Sequence, residues 1–247
     1  MNRESLVVNK ILLALAVPTD GVLVVHSAMQ ALSRHGFKAE GIIESLIEYL
    51  HRGTLLMPTM SWRTVVPSNP VFDELETPSQ TGVLSEIFRT SYSTARSLHP
   101  THSVAGWGRD AAVLLASHHM GTTPVPASSP YGLIRDYPSY ILLLGVGIEM
   151  CTAIHHAEEV IAPDIYVKPP SDSEYYELKA RDGRIIPYQL RRHPRLQRRF
   201  DKFVPPLLAA GMQCGDIEGV PWSLIRVSDL MRVTFSALLV DRKATLG

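Results

Sequence analysis

The sequence predicts an α/β protein: a three-layer α/β/α sandwich with a mostly parallel central sheet, formed as a single domain over residues 1–247. Three observations carry this. The apolar run Ile141 to Gly147 is bounded by glycine and passes into a helix-forming stretch, the pattern of a strand buried on both faces. A second run, Gly21 to Val25, is followed by small residues, a helical pattern and a third run, Thr54 to Pro58, which together read as a β-α-β unit with a right-handed crossover and a parallel strand pair. Finally, 247 residues suffice for one well-packed domain, and no internal repeat, low-complexity tract or linker divides them.

In chain order, Ser5 to Ala16 carries apolar residues at helical spacing and is stopped by Pro18. The first strand ends in His26-Ser27-Ala28-Met29, where a turn of small residues before a helix offers free backbone N–H groups suited to a phosphate, or where Ser27 simply caps the helix. Ile42, Ile43, Leu46, Ile47 and Leu50 then mark a helix over 38–52. The segment Thr59 to Gln80 is long and rich in Pro and Ser, and is expected to be a substrate-side loop carrying Trp62 and Asp73. A helix over 82–90 precedes Arg96 to Gly108, in which His99 and His102 straddle Pro100 on extended backbone. A short helix follows at 109–116, and Ser129-Pro130 opens another with a cap and a first-turn proline. Beyond the central stretch, Asp182-Gly183 joins two strands of a hairpin. Arg191, Arg192, Arg195, Arg198, Arg199 and Lys202 form the sole basic run, expected as a solvated helix face, with contact to a ligand phosphate as the second reading. Short strands surround Gly219, and Ser228-Asp229 is expected to cap a last helix reaching Val240.

Composition narrows the function. Lys+Arg and Asp+Glu both total 24, so no global field points to nucleic acid. Two cysteines, Cys151 and Cys214, do not make a disulfide framework and suit a reducing compartment. There is no apolar run of membrane-spanning length and no leader pattern, so a cytoplasmic protein without membrane attachment is expected.

Cys151 to Glu159 reads as a helix at the carboxyl end of the Ile141–Gly147 strand, where open α/β sheets bind ligands. His155 and Glu158 then lie one turn apart on one face, and so do His156 and Glu159. A carboxylate one turn from an imidazole fixes its tautomer and leaves the second ring nitrogen free to take a proton near neutral pH, which is what a general base requires. Competing readings are a structural hydrogen bond, a covalent route through Cys151, and a zinc hydrolase site from His99, His102, His155 and Glu158, although no tight metal-ligand spacing is present.

These pieces, taken together, resemble the aminoglycoside 3-N-acetyltransferase family, distinct in fold from the GNAT acetyltransferases. The residues that carry the resemblance are Val25-His26-Ser27-Ala28-Met29, Met57-Pro58-Thr59, Phe72-Asp73, Arg96 to Ala105, Ser129-Pro130-Tyr131-Gly132 and Thr152 to Glu158. The resemblance implies acetyl-CoA as donor, with no metal, and a primary amine of an aminoglycoside or related aminosugar as acceptor. It implies His155 as base with Glu158 in the same constellation, and Ser27, Ala28, Met29, Ser103 and Val104 at coenzyme A. Backbone or hydroxyl donors at Ser103 or Thr152 are the expected oxyanion stabilisers, and Trp62 and Asp73, on the substrate-side loop, the expected substrate contacts. One departure bears on the acceptor: Arg63 stands where members acting on polycationic drugs often place an acid. A nucleotide-linked aminosugar or natural-product amine is the alternative acceptor, and a non-catalytic coenzyme A binder the alternative role. A homo-oligomer is compatible with everything read so far.

Overall fold

The computed structural model describes residues 2–247. Its elements are helix α1 (Arg3–Leu13), strand β1 (Val22–Ser27), α2 (Met29–Arg34), α3 (Ala39–Tyr49), β2 (Thr54–Pro58), β3 (Val71–Asp73), α4 (Val83–Ser91), β4 (Ala95–Arg96), β5 (Val104–Gly108) and α5 (Ala111–Ala116). The second half holds α6 (Pro130–Leu133), β6 (Ser139–Leu144), α7 (Ala153–Ile161), α8 (Pro163–Tyr166), β7 (Glu174–Lys179), β8 (Ile185–Leu190), α9 (Val204–Ala209), β9 (Gln213–Ile217), β10 (Val220–Arg226) and α10 (Val227–Val240).

A seven-stranded sheet runs in the order β4-β5-β2-β1-β6-β10-β9. Its centre, β2-β1-β6, is parallel, whereas β5 and β10 pair antiparallel on either side. Because β4 and β9 are in turn antiparallel to β5 and β10, five of the seven strands point the same way. The sheet is therefore mixed in pairing while mostly parallel in strand direction. The pleat explains why β1 reads as a continuous apolar run: Leu23 and Val25 join the cluster that holds Ile11, Ile42 and Phe88, whereas Val22 and Val24 join the one that holds Leu114, Tyr131 and Ile154. Helices cover both faces, and each fully buried Leu or Ile contributes about 1.5–3 kcal/mol.

Beside this sheet stands a second, three-stranded one, β3-β7-β8. The Asp182-Gly183 turn forms as expected, with Gly183 at φ 84 and Ala180 donating to the Arg184 carbonyl. Its parallel partner β3 comes from the middle of the segment expected to be a loop throughout; three residues with Pro70 before them are too short to show a strand period.

Four local expectations are corrected. The helix after β1 is capped at Ala28 with no side-chain bond, so Ser27 is not its cap. Helix α10 begins at Val227, ahead of the Ser228-Asp229 pair expected to cap it. Helix α7 begins at Ala153, which leaves Cys151 in the preceding turn rather than on the helix. The basic run is not a helix face: residues 191–199 are a non-helical strap, because Pro194 lacks an N–H and clashes with the preceding helical turn. Among the described residues no helix is long and apolar enough to cross a membrane.

Candidate active site

β1 and β6 are neighbours in parallel register, with Ser27 opposite Leu144, so both strands deliver their carboxyl ends to one edge of the sheet. Beyond β6 the chain turns at Gly145, whose φ of 70 favours glycine, passes a short 3₁₀ turn at Ile148–Met150, and enters α7. A cleft opens at this edge with two arms. The larger, about 990 Å³, is lined in part by Lys168, Arg192, His193 and Arg195. The smaller, about 350 Å³, is lined in part by His26, Ser27, Gln80, Thr81 and Ser85. Met60, Trp62, Arg63, Thr152 and His155 line both and form the junction.

His155 Nδ1 lies 2.7 Å from Glu158 Oε2. The carboxylate accepts, so Nδ1 is the donor, and in the neutral ring Nε2 holds the lone pair. Glu158 is fully buried, which by itself raises a carboxyl group. The charge and hydrogen bond of His155 and the Arg198 guanidinium outweigh that burial and bring it down to about 2. Arg198 Nε bridges both carboxylate oxygens at 3.1 and 3.0 Å, and this third member comes from the strap rather than from α7.

The second pair on α7 is split. His156 presents Nδ1 to the Val125 carbonyl at 3.1 Å and accepts Arg135 at Nε2 at 3.1 Å. Glu159 instead meets His193 Nε2 at 2.6 Å, the Thr123 hydroxyl at 2.5 Å and the Val125 N–H at 2.8 Å. Burial pushes the Glu159 carboxyl up to about 7. The same burial holds His193 and His102 well below the ordinary imidazole range, keeping both neutral at physiological pH. The His193 ring lies beside His155 with centroids 4.8 Å apart, and His102 stands edge-on to it at 5.7 Å.

Among the expected site residues, the cleft gathers His155, Thr152, Ser27 and Trp62, while Glu158 sits directly behind His155. It does not gather the others. Ala28 donates its N–H to the Leu144 carbonyl, so that group is not free for a phosphate, and Met29 is buried in the core. Ser103 is fully enclosed, donating to the Thr59 carbonyl at 2.7 Å and accepting from Arg96 Nε at 3.1 Å; Val104 beside it is core. Asp73 pairs with Lys179 at 2.8 Å and caps the N–H groups of Leu75 and Glu76, away from both arms. Cys151 is fully buried and its thiol is pushed up to about 12, which removes both the access and the thiolate that a covalent route needs. No three His, Cys, Asp or Glu side chains among the described residues are placed to hold one metal ion. His99, from the proposed zinc set, is instead engaged by Thr101 N, His102 N and the Thr123 carbonyl. His26 was missed as a site residue: it is buried, held down to about 4, and its Nε2 has no hydrogen-bond partner among the described residues. Its place at the end of the first strand was the available signal.

Fold and cleft define a mixed-sheet α/β protein with a carboxylate-oriented histidine at the carboxyl ends of its parallel strands. The chain belongs to the aminoglycoside 3-N-acetyltransferase family, whose model matches residues 24–238. It is 27% identical over 199 residues to an SPbeta prophage-derived aminoglycoside N(3')-acetyltransferase-like protein of Bacillus subtilis (strain 168), covering 68% of this chain and 73% of that one. It is 34% identical over 148 residues to aminoglycoside N(3)-acetyltransferase IV of Salmonella sp, covering 60% and 55%. Among solved structures, a histidine-to-alanine mutant of aminoglycoside acetyltransferase AAC(3)-IVa in complex with a gentamicin superposes with a TM-score of 0.81 at 26% identity, covering 100% of this chain and 93% of that one. AAC-IIIb as a binary complex with CoASH superposes at 0.75 and 21% identity, covering 96% of each.

Proposed function

We propose that the protein transfers an acetyl group from acetyl-CoA to a primary amine of an aminosugar, the class that includes the aminoglycosides, with His155 as general base. The single three-layer domain is the scaffold for this reading, and the cytoplasm its expected setting. The observation that carries it is the 2.7 Å contact from His155 Nδ1 to buried Glu158 at the junction of the two arms. Support also comes from the neighbours that hold gentamicin and CoASH.

The smaller arm, lined in part by Ser27, Thr81 and Ser85, suits the uncharged amide chain of pantetheine. The acceptor then enters from the larger arm, and its nitrogen meets the thioester carbon beside His155 Nε2. The nucleophile is the neutral amine; as its C–N bond forms the nitrogen becomes cationic, the proton it sheds passes to Nε2, and Glu158 with Nδ1–H stabilises the resulting imidazolium. Thr152, at the junction, is the side chain on hand for the developing oxyanion. The C–S bond then breaks, and the imidazolium proton goes to the departing thiolate. The test is thiol release from acetyl-CoA in the presence of aminosugars. Turnover in the parent and its loss in a folded His155→Ala variant is the expected result; unimpaired turnover in that variant would remove the assignment.

A further inference from the structure

We infer that the larger arm binds an acceptor amine that itself carries a phosphate group, as a sugar phosphate or a nucleotide-linked aminosugar does, rather than a polycationic aminoglycoside. This rests on the proposed acetyl transfer at His155 and specifies its acceptor.

The chain as a whole is neutral, yet this arm is not. Among the described residues Arg63, Lys168, Arg192 and Arg195 line it, and no Asp or Glu does. Behind the wall, Glu174 meets Lys168 at 3.1 Å and Arg192 at 3.7 Å and offsets one of those charges. Among the described residues neither Arg63 nor Arg195 has a carboxylate partner. Two guanidinium groups with no protein anion, beside a pair only half neutralised, concentrate positive potential where the acceptor must enter. Like charges brought there repel; a phosphate gains charge-assisted and bidentate hydrogen bonds from the guanidinium forks. A gentamicin-like acceptor would place several ammonium groups against those cations with no carboxylate on the wall to receive them.

Phosphate could also reach these cations from coenzyme A itself. The smaller arm, with Glu149 and, among the described residues, Arg63 as its one Lys or Arg, has balanced charges and suits the neutral chain of pantetheine, which leaves Lys168, Arg192 and Arg195 to the acceptor.

The deciding experiment is calorimetric titration of inorganic pyrophosphate into the enzyme saturated with CoA, repeated on Arg195→Glu. Arg195 is exposed and without an ion pair, so its replacement leaves the fold intact. Binding in the presence of CoA, weakened about tenfold or more in the variant, is expected. Absence of binding, or binding that CoA abolishes, overturns the inference. In parallel, kcat/KM is compared for glucosamine 6-phosphate, a UDP-linked aminosugar, glucosamine and gentamicin. A preference for a phosphorylated amine that Arg195→Glu erases through KM of the acceptor, with KM of acetyl-CoA unchanged, is expected. Preferential turnover of gentamicin would overturn this inference while leaving the His155 chemistry standing; intact turnover in His155→Ala would strike the chemistry instead.

Discussion

Helix α7 carries two copies of one spacing, His155 with Glu158 and His156 with Glu159, and the fold treats them oppositely. On the face toward the cleft the imidazole and carboxylate meet, and Arg198 closes the carboxylate from behind. On the next face the partners part: His156 is fastened by Arg135 and a backbone carbonyl, and Glu159 by His193 across the strap. Helical spacing brings two groups within reach, but whether they pair depends on what else competes for them. Where neighbours from distant segments fill both sets of lone pairs and N–H groups, the pair becomes cement; where one face opens to a cavity, it keeps a free ring nitrogen.

The largest effect should fall on the cleft-facing pair. His155→Ala should lower kcat by about 10²–10⁴ and also lower the melting temperature, since buried Glu158 loses a hydrogen-bond partner and keeps only Arg198. Glu158→Gln should lower kcat by about tenfold or more and also reduce stability, because Arg198 loses its anion in a buried place. That variant should also change the acid limb of unfolding. The Glu158 carboxyl falls from 4.5 to about 2, so its contribution is full above pH 4.5 and lost as pH falls toward 2; Glu158→Gln should flatten that window in a pH series of melting temperatures.

The second pair should behave in reverse. His156→Ala should leave kcat within a few-fold while costing about 1–3 kcal/mol by urea denaturation, since it strands the Val125 carbonyl and the Arg135 donor. A kcat loss as large as that of His155→Ala would dissolve the contrast. At Glu159 the sign is opposite to Glu158. Its carboxyl is raised by burial from 4.5 to about 7, so the stability it confers is present below pH 4.5 and is lost as pH rises through 7. Glu159→Gln should therefore gain melting temperature relative to the parent from pH 5 to pH 8. Smallest of all, Cys151→Ala should leave turnover near the parent's, as a buried thiol outside the helix has no part in the step.

Much of this was legible in the chain. The runs at 22–27, 54–58 and 139–144 are apolar because both faces of the sheet are covered, and that signal is local. The Asp182-Gly183 turn and the Ser129 cap, whose side chain accepts from Gly132 N, are equally local. What the sequence could not show was the strap. Its arginines at 191, 192, 195, 198 and 199 imitate a helix face, while Pro194 is the one residue that argues otherwise. Arg198 meets a carboxylate 40 residues away and His193 one 34 residues away, distances over which no periodicity carries information. Ser103, Val104 and Asp73 failed to reach the cleft for a related reason: each had a closer partner, in Arg96, the core and Lys179 respectively.

The strap also governs how such a protein can diverge. Within seven residues it gives Arg192 and Arg195 to the wall that meets the acceptor, and His193 and Arg198 to the groups that hold α7 in place. A lineage that changes this stretch by substitution can alter its diet one cation at a time. Gaining or losing a single residue there would shift Arg198 off its carboxylate in the same event, so length variation in the strap should be rare among working descendants and point changes common.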